Sequence, residues 1–199
     1  MKKCTQLFLS LLACALIGTT FALAAHHGHG MGKESAGPAA LTGKTENLIA
    51  VMTPTERSSV SGTVTFKEAD EGKVKVVAQL SGLNPNSLHA IHIHEYGDIR
   101  AEDGTAAGSH YNPEDHPHAL PTEGKRHAGD FGNLEADDEG KAQFSITVDN
   151  LTLNGEKNPI IGRSVIVHAG EDDGSQPVGN AGRRLAQGVI GVMNAGYED

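Results

Sequence analysis

The residues of this chain best suited to chemistry are its histidines, of which there are 11. His26, His27 and His29 stand near the start, and the other eight fall between residues 89 and 168. A lone histidine is more often a packed or surface residue than a ligand, so the groups carry the argument. The sharpest is His92-Ile93-His94. Residues two apart on a strand face the same side, so both imidazoles can reach one metal ion while Ile91 and Ile93 turn the other way. A second group is His110, His118, His127 and Asp130. Three imidazoles and a carboxylate suit zinc in a closed tetrahedral site. Ligands scattered along an irregular segment make sense if the metal supplies the order that the segment lacks. His116 competes with His118 for a place in this set. His168 ends the run Ser164-Val165-Ile166-Val167-His168, which strand pairing can bring near His92.

The elements that must position these groups read as strands. Val60, Gly62, Val64 and Phe66 alternate with polar neighbours, the period of a half-buried strand. Asp70-Glu71-Gly72 is a turn signal, and 74–80 is a second strand, so the pair reads as a hairpin. Further strands are expected at 88–95, 142–148, 164–169 and 188–193. Between them lie two irregular segments, 97–135 and 170–184, rich in Gly and Asp. Loops of such length inside a domain are usually functional. No helix of ordinary length is signalled beyond the first residues. The expectation is an all-β antiparallel sandwich or barrel carrying two long functional loops.

Composition agrees and sets limits. With 25 glycines, no tryptophan and 4% aromatics, the chain of 199 residues suits short strands joined by turns. The formal net charge of −9 makes nucleic acid and anionic membranes poor partners. A small anionic substrate would need a local positive field.

The start reads as an export signal. Lys2 and Lys3 precede an apolar stretch over 7–23, and Ala22-Leu23-Ala24 is a small-x-small cleavage site. Residues 1–24 are therefore expected to be a signal peptide, placing the protein in the periplasm or outside the cell. Leu11-Leu12-Ala13-Cys14 also resembles a lipoprotein processing box, and lipid on Cys14 would anchor the chain instead. A membrane-spanning reading is weaker, because the run is short and mixed. Residues 25–47 are expected to be a flexible His-rich tail, either a loose copper or zinc collector or a solvated linker. Residues 48–199 form the expected domain. The only cysteines are Cys4 and Cys14, so a chain cleaved after Ala24 has none.

Five runs then carry a family resemblance: His92-Ile93-His94-Glu95-Tyr96-Gly97-Asp98, Gly108-Ser109-His110-Tyr111-Asn112-Pro113, Arg126-His127-Ala128-Gly129-Asp130-Phe131-Gly132-Asn133, the run from Ile161 to His168, and Gly179-Asn180-Ala181-Gly182-Arg183-Arg184-Leu185-Ala186. Together, over roughly residues 48–194, they resemble copper–zinc superoxide dismutases. The resemblance implies a Greek-key barrel and an oxidoreductase converting superoxide to oxygen and hydrogen peroxide by Cu(II)/Cu(I) cycling. It implies copper ligands His92, His94, His110 and His168, and zinc ligands His110, His118, His127 and Asp130. The family's eight-residue spacing after the shared ligand selects His118 over His116. His110 would bridge the two ions, supported by zinc, and exchange a proton during turnover. Asp172 would link a copper ligand to a zinc ligand from outside the coordination sphere. Arg184 would stand beside the open copper face, where an always-charged guanidinium can attract a small anion. Arg126 and Arg183 read as solvated surface charges.

The chain departs from the family in three places. Members usually join the long loop to the last strand by a disulfide, but Gly104 and Gln187 stand at or near those positions. The loop after His168 is short, with Pro177 and Val178 where polar or basic residues often occur. Family members are usually dimeric, and Tyr96, Ile161 and Val192 are apolar at positions resembling one interface, so a homodimer is an expectation. The alternative function is an exported, non-enzymatic copper- or zinc-binding protein with the tail as collector. Such a protein would need neither Arg184 nor a shared His110.

Overall fold

Alternation of apolar and polar residues builds the domain strand by strand. The computed structural model describes residues 47–194, 196 and 197. The expected signal peptide, with Cys4 and Cys14, and residues 25–46 of the expected tail lie outside the described residues. The strands are β1 (Asn47–Pro54), β2 (Ser61–Glu68), β3 (Val74–Ser81), β4 (Leu88–His94), β5 (Asp130–Glu135), β6 (Ala142–Val148), β7 (Ser164–His168) and β8 (Arg184–Val192). The only helical pieces among the described residues are three-residue 3-10 turns at Asp70–Gly72 and Thr105–Ala107.

All the ladders are antiparallel, in the order β5-β4-β7-β8-β1-β2-β3-β6. β5 and β6, the two ends of the sheet, pack against each other without a ladder, which leaves a nearly closed barrel. The neighbours β4–β7 and β3–β6 are non-consecutive, giving the Greek-key arrangement.

Three elements differ from the sequence expectation. β1 forms ahead of the first expected strand: Leu48, Ala50 and Met52 are buried, while Val51 faces solvent. β5 lies inside what reads as one irregular segment, because Asp130, Gly132 and Asn133 break its apolar alternation. Its ladder with β4 defines it instead. β8 starts at Arg184 rather than 188, extended by pairing with β7 and β1.

The interior is filled by alternate residues from facing strands, among them Met52, Phe66, Val76, Ile91, Ile93, Phe131, Val165, Val167 and Ile190, all at most 2% exposed. Each large side chain so placed contributes about 1.5–3 kcal/mol of transfer free energy. β4 is the exception to one-sided burial. Ile91 and Ile93 enter this core, and Ala90, His92 and His94 on the opposite face are buried too. That second face is what the two long loops cover.

Candidate metal centre

Strand register does most of the assembly. Across the ladders His92 pairs with Asp130 and with Ile166, and His168 pairs with Arg184. An isolated bridge pairs His94 with His110. Register shifts occur between Ala90 and His92 and between Val167 and His168. Such irregularities re-aim side chains, and here they fall beside His92 and His168. Four buried groups, His92, His94, His110 and His168, offer atoms within 4.8 Å of one another, and so do His110, His118, His127 and Asp130. Both sets could hold a metal ion, and His110 belongs to both.

Hydrogen bonds fix which ring atom each histidine can offer. His94 Nδ1 donates to Gly108 O at 3.0 Å and His168 Nδ1 donates to Gly182 O at 3.1 Å, which leaves Nε2 of each ring free. Those two Nε2 atoms lie 3.4 Å apart. His92 Nε2 donates to Asp172 Oδ2 at 2.9 Å, and its Nδ1 is buried without a hydrogen-bond partner. His118 Nε2 donates to Asp172 Oδ1 at 2.8 Å. Its Nδ1 faces Asp130 Oδ2 at 3.0 Å without hydrogen-bond geometry. An imidazole lone pair against a carboxylate oxygen needs a cation between them, a proton or a metal ion.

Two distances in the second set match a metal site, and a third is that of a hydrogen bond. Nδ1 of His110 lies 3.4 Å from Nδ1 of His127, and Asp130 Oδ1 lies 2.9 and 3.3 Å from those two atoms. A tetrahedral site with bonds of about 2.0–2.1 Å has ligand edges of about 3.3–3.4 Å. The donor set is also what zinc takes, and the all-imidazole first set suits copper. The residues present therefore fit both ions. Nδ1 of His110 belongs to the Asp130 side, leaving Nε2 for the other set. The His110 ring lies 3.9 and 5.1 Å from the rings of His92 and His94.

Electrostatics of the metal-free site point the same way. Burial pushes His94 well below its usual pKa. It takes His110 down to about 4 against the pull of Asp130. It takes His168 to about 3, with the neighbouring His92 adding to the fall. Burial would lower His118 too, but the Asp130 and Asp172 carboxylates raise it to about 9. Both carboxyls are held far below the ordinary range by the histidines bonded to them, although burial opposes this. At neutral pH His94, His110 and His168 are thus uncharged and able to ligate, while Asp130 is an anion and His118 holds a proton that a metal ion would displace.

Arg184 borders the open side of the first set. Its Nη1 donates to Gly104 O at 2.5 Å and Nη2 to Gly108 O at 2.6 Å. With His94, His110 and His168 it lines an open pocket of about 660 Å³, whose rim includes Val178 and Asn180. Two aligned acceptors fix the guanidinium, and its remaining N–H groups are left for an anion.

The remaining residues sort as follows. His116 stands apart from the cluster, its Nδ1 bonded to Arg126 O at 3.2 Å. Arg183 is exposed, but Arg126 is not the solvated charge expected: it is only 8% exposed and donates to the carbonyls of Asp130 and Glu123. Three supporting residues escaped the sequence reading. His89 is fully buried and donates from Nδ1 to His168 O at 2.9 Å. Its place on the apolar face of β4 was the signal that could have found it. Asn133 grips the backbone of Asp172 through both ends of its amide, and Gln176 grips His118 in the same way. Bonds to backbone leave no mark in sequence spacing. Gly179, at φ 73°, sits so close that a Cβ there would collide with Asp172 Oδ1 and His118 Nε2.

Comparison with known proteins matches this arrangement. The family model described as copper/zinc superoxide dismutase matches residues 60–190. A superoxide dismutase [Cu-Zn] of Yarrowia lipolytica is 44% identical over 143 residues, covering 68% of this chain and 92% of that protein. Superoxide dismutase [Cu-Zn] 2 of Brassica juncea is 40% identical over 152 residues, covering 73% and 97%. The crystal structure of the clock protein EA4 superposes with a TM-score of 0.69 at 35% identity, over 76% of this chain and 97% of that one. With a matching barrel, two buried ligand sets that share one histidine, and relatives matched over nearly their whole length, this chain belongs to the copper/zinc superoxide dismutase family.

Proposed function

We propose that this protein is a superoxide dismutase that binds copper through His92, His94, His110 and His168 and zinc through His110, His118, His127 and Asp130. The observation that carries the reading is the sharing of His110 between two buried sets beside a pocket that contains Arg184. When bound, copper would supply one-electron exchange with superoxide, and zinc would hold one nitrogen of His110 without redox change of its own.

The chain's own residues do the rest. Dismutation joins two superoxide ions and two protons into oxygen and hydrogen peroxide, so the site must attract an anion and deliver protons. Arg184 attracts and orients the anion with a guanidinium fixed by Gly104 O and Gly108 O. His110 can hold a proton at Nε2 while Nδ1 stays with the Asp130 group, so the ring keeps its place as Nε2 changes partner. Asp172 locks His92 and His118 in the tautomers that leave Nδ1 free.

The chain is further proposed to consist of a signal peptide (1–24), a His-rich tail (25–47) and the enzyme domain (48–199), exported to the periplasm or beyond. Support comes from Lys2, Lys3, the apolar run and Ala22-Leu23-Ala24. Lipid on Cys14 would anchor it instead. Nucleic acid is no partner on this reading, given a net charge of −9. A homodimer is supported by Tyr96 and Val192, which are 59% and 49% exposed rather than core, with Ile161 half-buried.

The test is a superoxide assay on protein loaded with copper and zinc, with His168→Ala as control. Activity in the parent and its loss in the variant are expected. Metal uptake without activity in the parent would instead favour the non-enzymatic metal binder.

A further inference from the structure

Gln187 lies three residues beyond Arg184 on β8 and is 5% exposed. Its Nε2 donates to Ile99 O at 3.3 Å and to Ala101 O at 3.1 Å. An amide nitrogen carries two N–H groups, so both donors serve one short segment of the long loop. Oε1 is buried with no partner among the described residues. The side chain is therefore oriented by its donors alone.

That segment is the one that holds Arg184. Ala101 O, which receives Gln187, also accepts the backbone N–H of Gly104 at 3.0 Å. Gly104 O accepts Arg184 Nη1, and Gly108 O accepts Nη2. Gly104 has φ 80°, a conformation that favours glycine, and a Cβ there would press on the Arg184 side chain at 3.1 Å. Thr55 Oγ1 donates to Arg184 O at 2.7 Å, fixing the same strand end from the other side. A continuous path thus runs from Gln187 through Ala101 and Gly104 to the guanidinium, with its two ends on one strand.

We propose that Gln187 is a positioning residue for Arg184: its amide fixes the Ala101–Gly104 turn, and that turn sets where the guanidinium stands in the anion pocket. The inference rests on the assignment of Arg184 to the substrate anion. It gives a cysteine-free barrel a non-covalent clip between the long loop and β8.

The test is a double-mutant cycle on copper- and zinc-loaded protein, using azide as a small anionic probe read by copper absorption. Gln187→Met keeps the length and removes both donors. It is expected to weaken azide binding about three- to tenfold, a coupling of ordinary size for groups in one hydrogen-bond network, with metal content unchanged. In an Arg184→Ile background the same change should leave azide affinity where it was, although the melting temperature falls equally in both backgrounds. In zinc-only protein, hydrogen exchange at the Arg184 guanidinium should quicken in Gln187→Met. An unchanged azide affinity, or an equal loss in both backgrounds, overturns the proposal. If Arg184→Ile itself binds azide as the parent does, the Arg184 assignment fails and the inference falls with it. Should Gln187→Met not fold, Gln187→Asn, which retains the amide one methylene short, takes its place with the same expected direction and the same overturning results.

Discussion

Asp172 accepts the Nε2–H of His92 at 2.9 Å, and neither side chain has any solvent exposure. Its other oxygen does the same for His118. One carboxylate therefore sets the tautomer of one ring in each metal set. Asp172→Asn leaves only one acceptor for two N–H groups, so one ring must turn its lone pair the wrong way. Outer partners of this kind are worth about 10–100-fold in metal affinity. The expected outcome is a loss of that order in zinc or copper affinity, measured by chelator competition. Parent-like affinity for both ions would remove Asp172 from this role.

Arg184→Ile should leave both metals bound, since no ligand is touched. Hydrogen bonds to charged groups contribute about 1.5–3 kcal/mol, so superoxide turnover at low ionic strength should fall about tenfold or more. The residual rate should also respond less to added salt than the parent's, because the local charge that salt screens is gone. A variant with the parent's salt dependence would show that another cation draws the anion.

The metal-free protein should be most stable near pH 6.5. His94, His110 and His168 titrate lower in the fold than the usual 6.5, at about 4 for His110 and about 3 for His168. The unfolded chain then binds more protons as pH drops, so their contribution is complete above 6.5 and is lost as pH falls through those values. His118 is raised to about 9, so its contribution is present below 6.5 and lost as pH rises toward 9. A melting temperature that is flat from pH 4 to 9 would contradict this. Zinc should flatten the alkaline side, because it replaces the proton on His118.

Thiol reductants should leave activity intact at concentrations that do not extract copper, because no described residue is a cysteine. The family's disulfide would be worth about 2–4 kcal/mol. Without it, zinc should raise the melting temperature strongly, since it ties His110, His118 and His127 of the long loop to Asp130 of β5. Equal melting temperatures with and without zinc would show that the loop's hydrogen bonds suffice.

Much of this centre is legible in the sequence because strands have a period of two. His92 and His94 share a face for that reason alone, and Ile91 and Ile93 share the other. The order of His110, His118, His127 and Asp130 along one segment gave the second set. What escaped is held by backbone contacts. β5 carries Gly132 and Asn133 and takes its conformation from the β4 ladder. The clamps by Asn133 and Gln176, and the clip by Gln187, end on carbonyl and amide groups that every residue has. His89 was legible in principle, as a histidine on the apolar face of β4, but only once the edges of that strand were known.

The pairing of His168 with Arg184 across β7 and β8 separates two design variables. Because sheet register sets that spacing, the segment between Asp172 and Asn180, apart from Gln176 and Gly179, can be altered or recharged without moving His168 relative to Arg184. The segment of this chain, turned by Gly174 and Gly179, is one setting of such an adjustable part. A library of changes there that spares Gln176 and Gly179, which hold His118 in place, would sample substrate capture while the coordination geometry stayed constant.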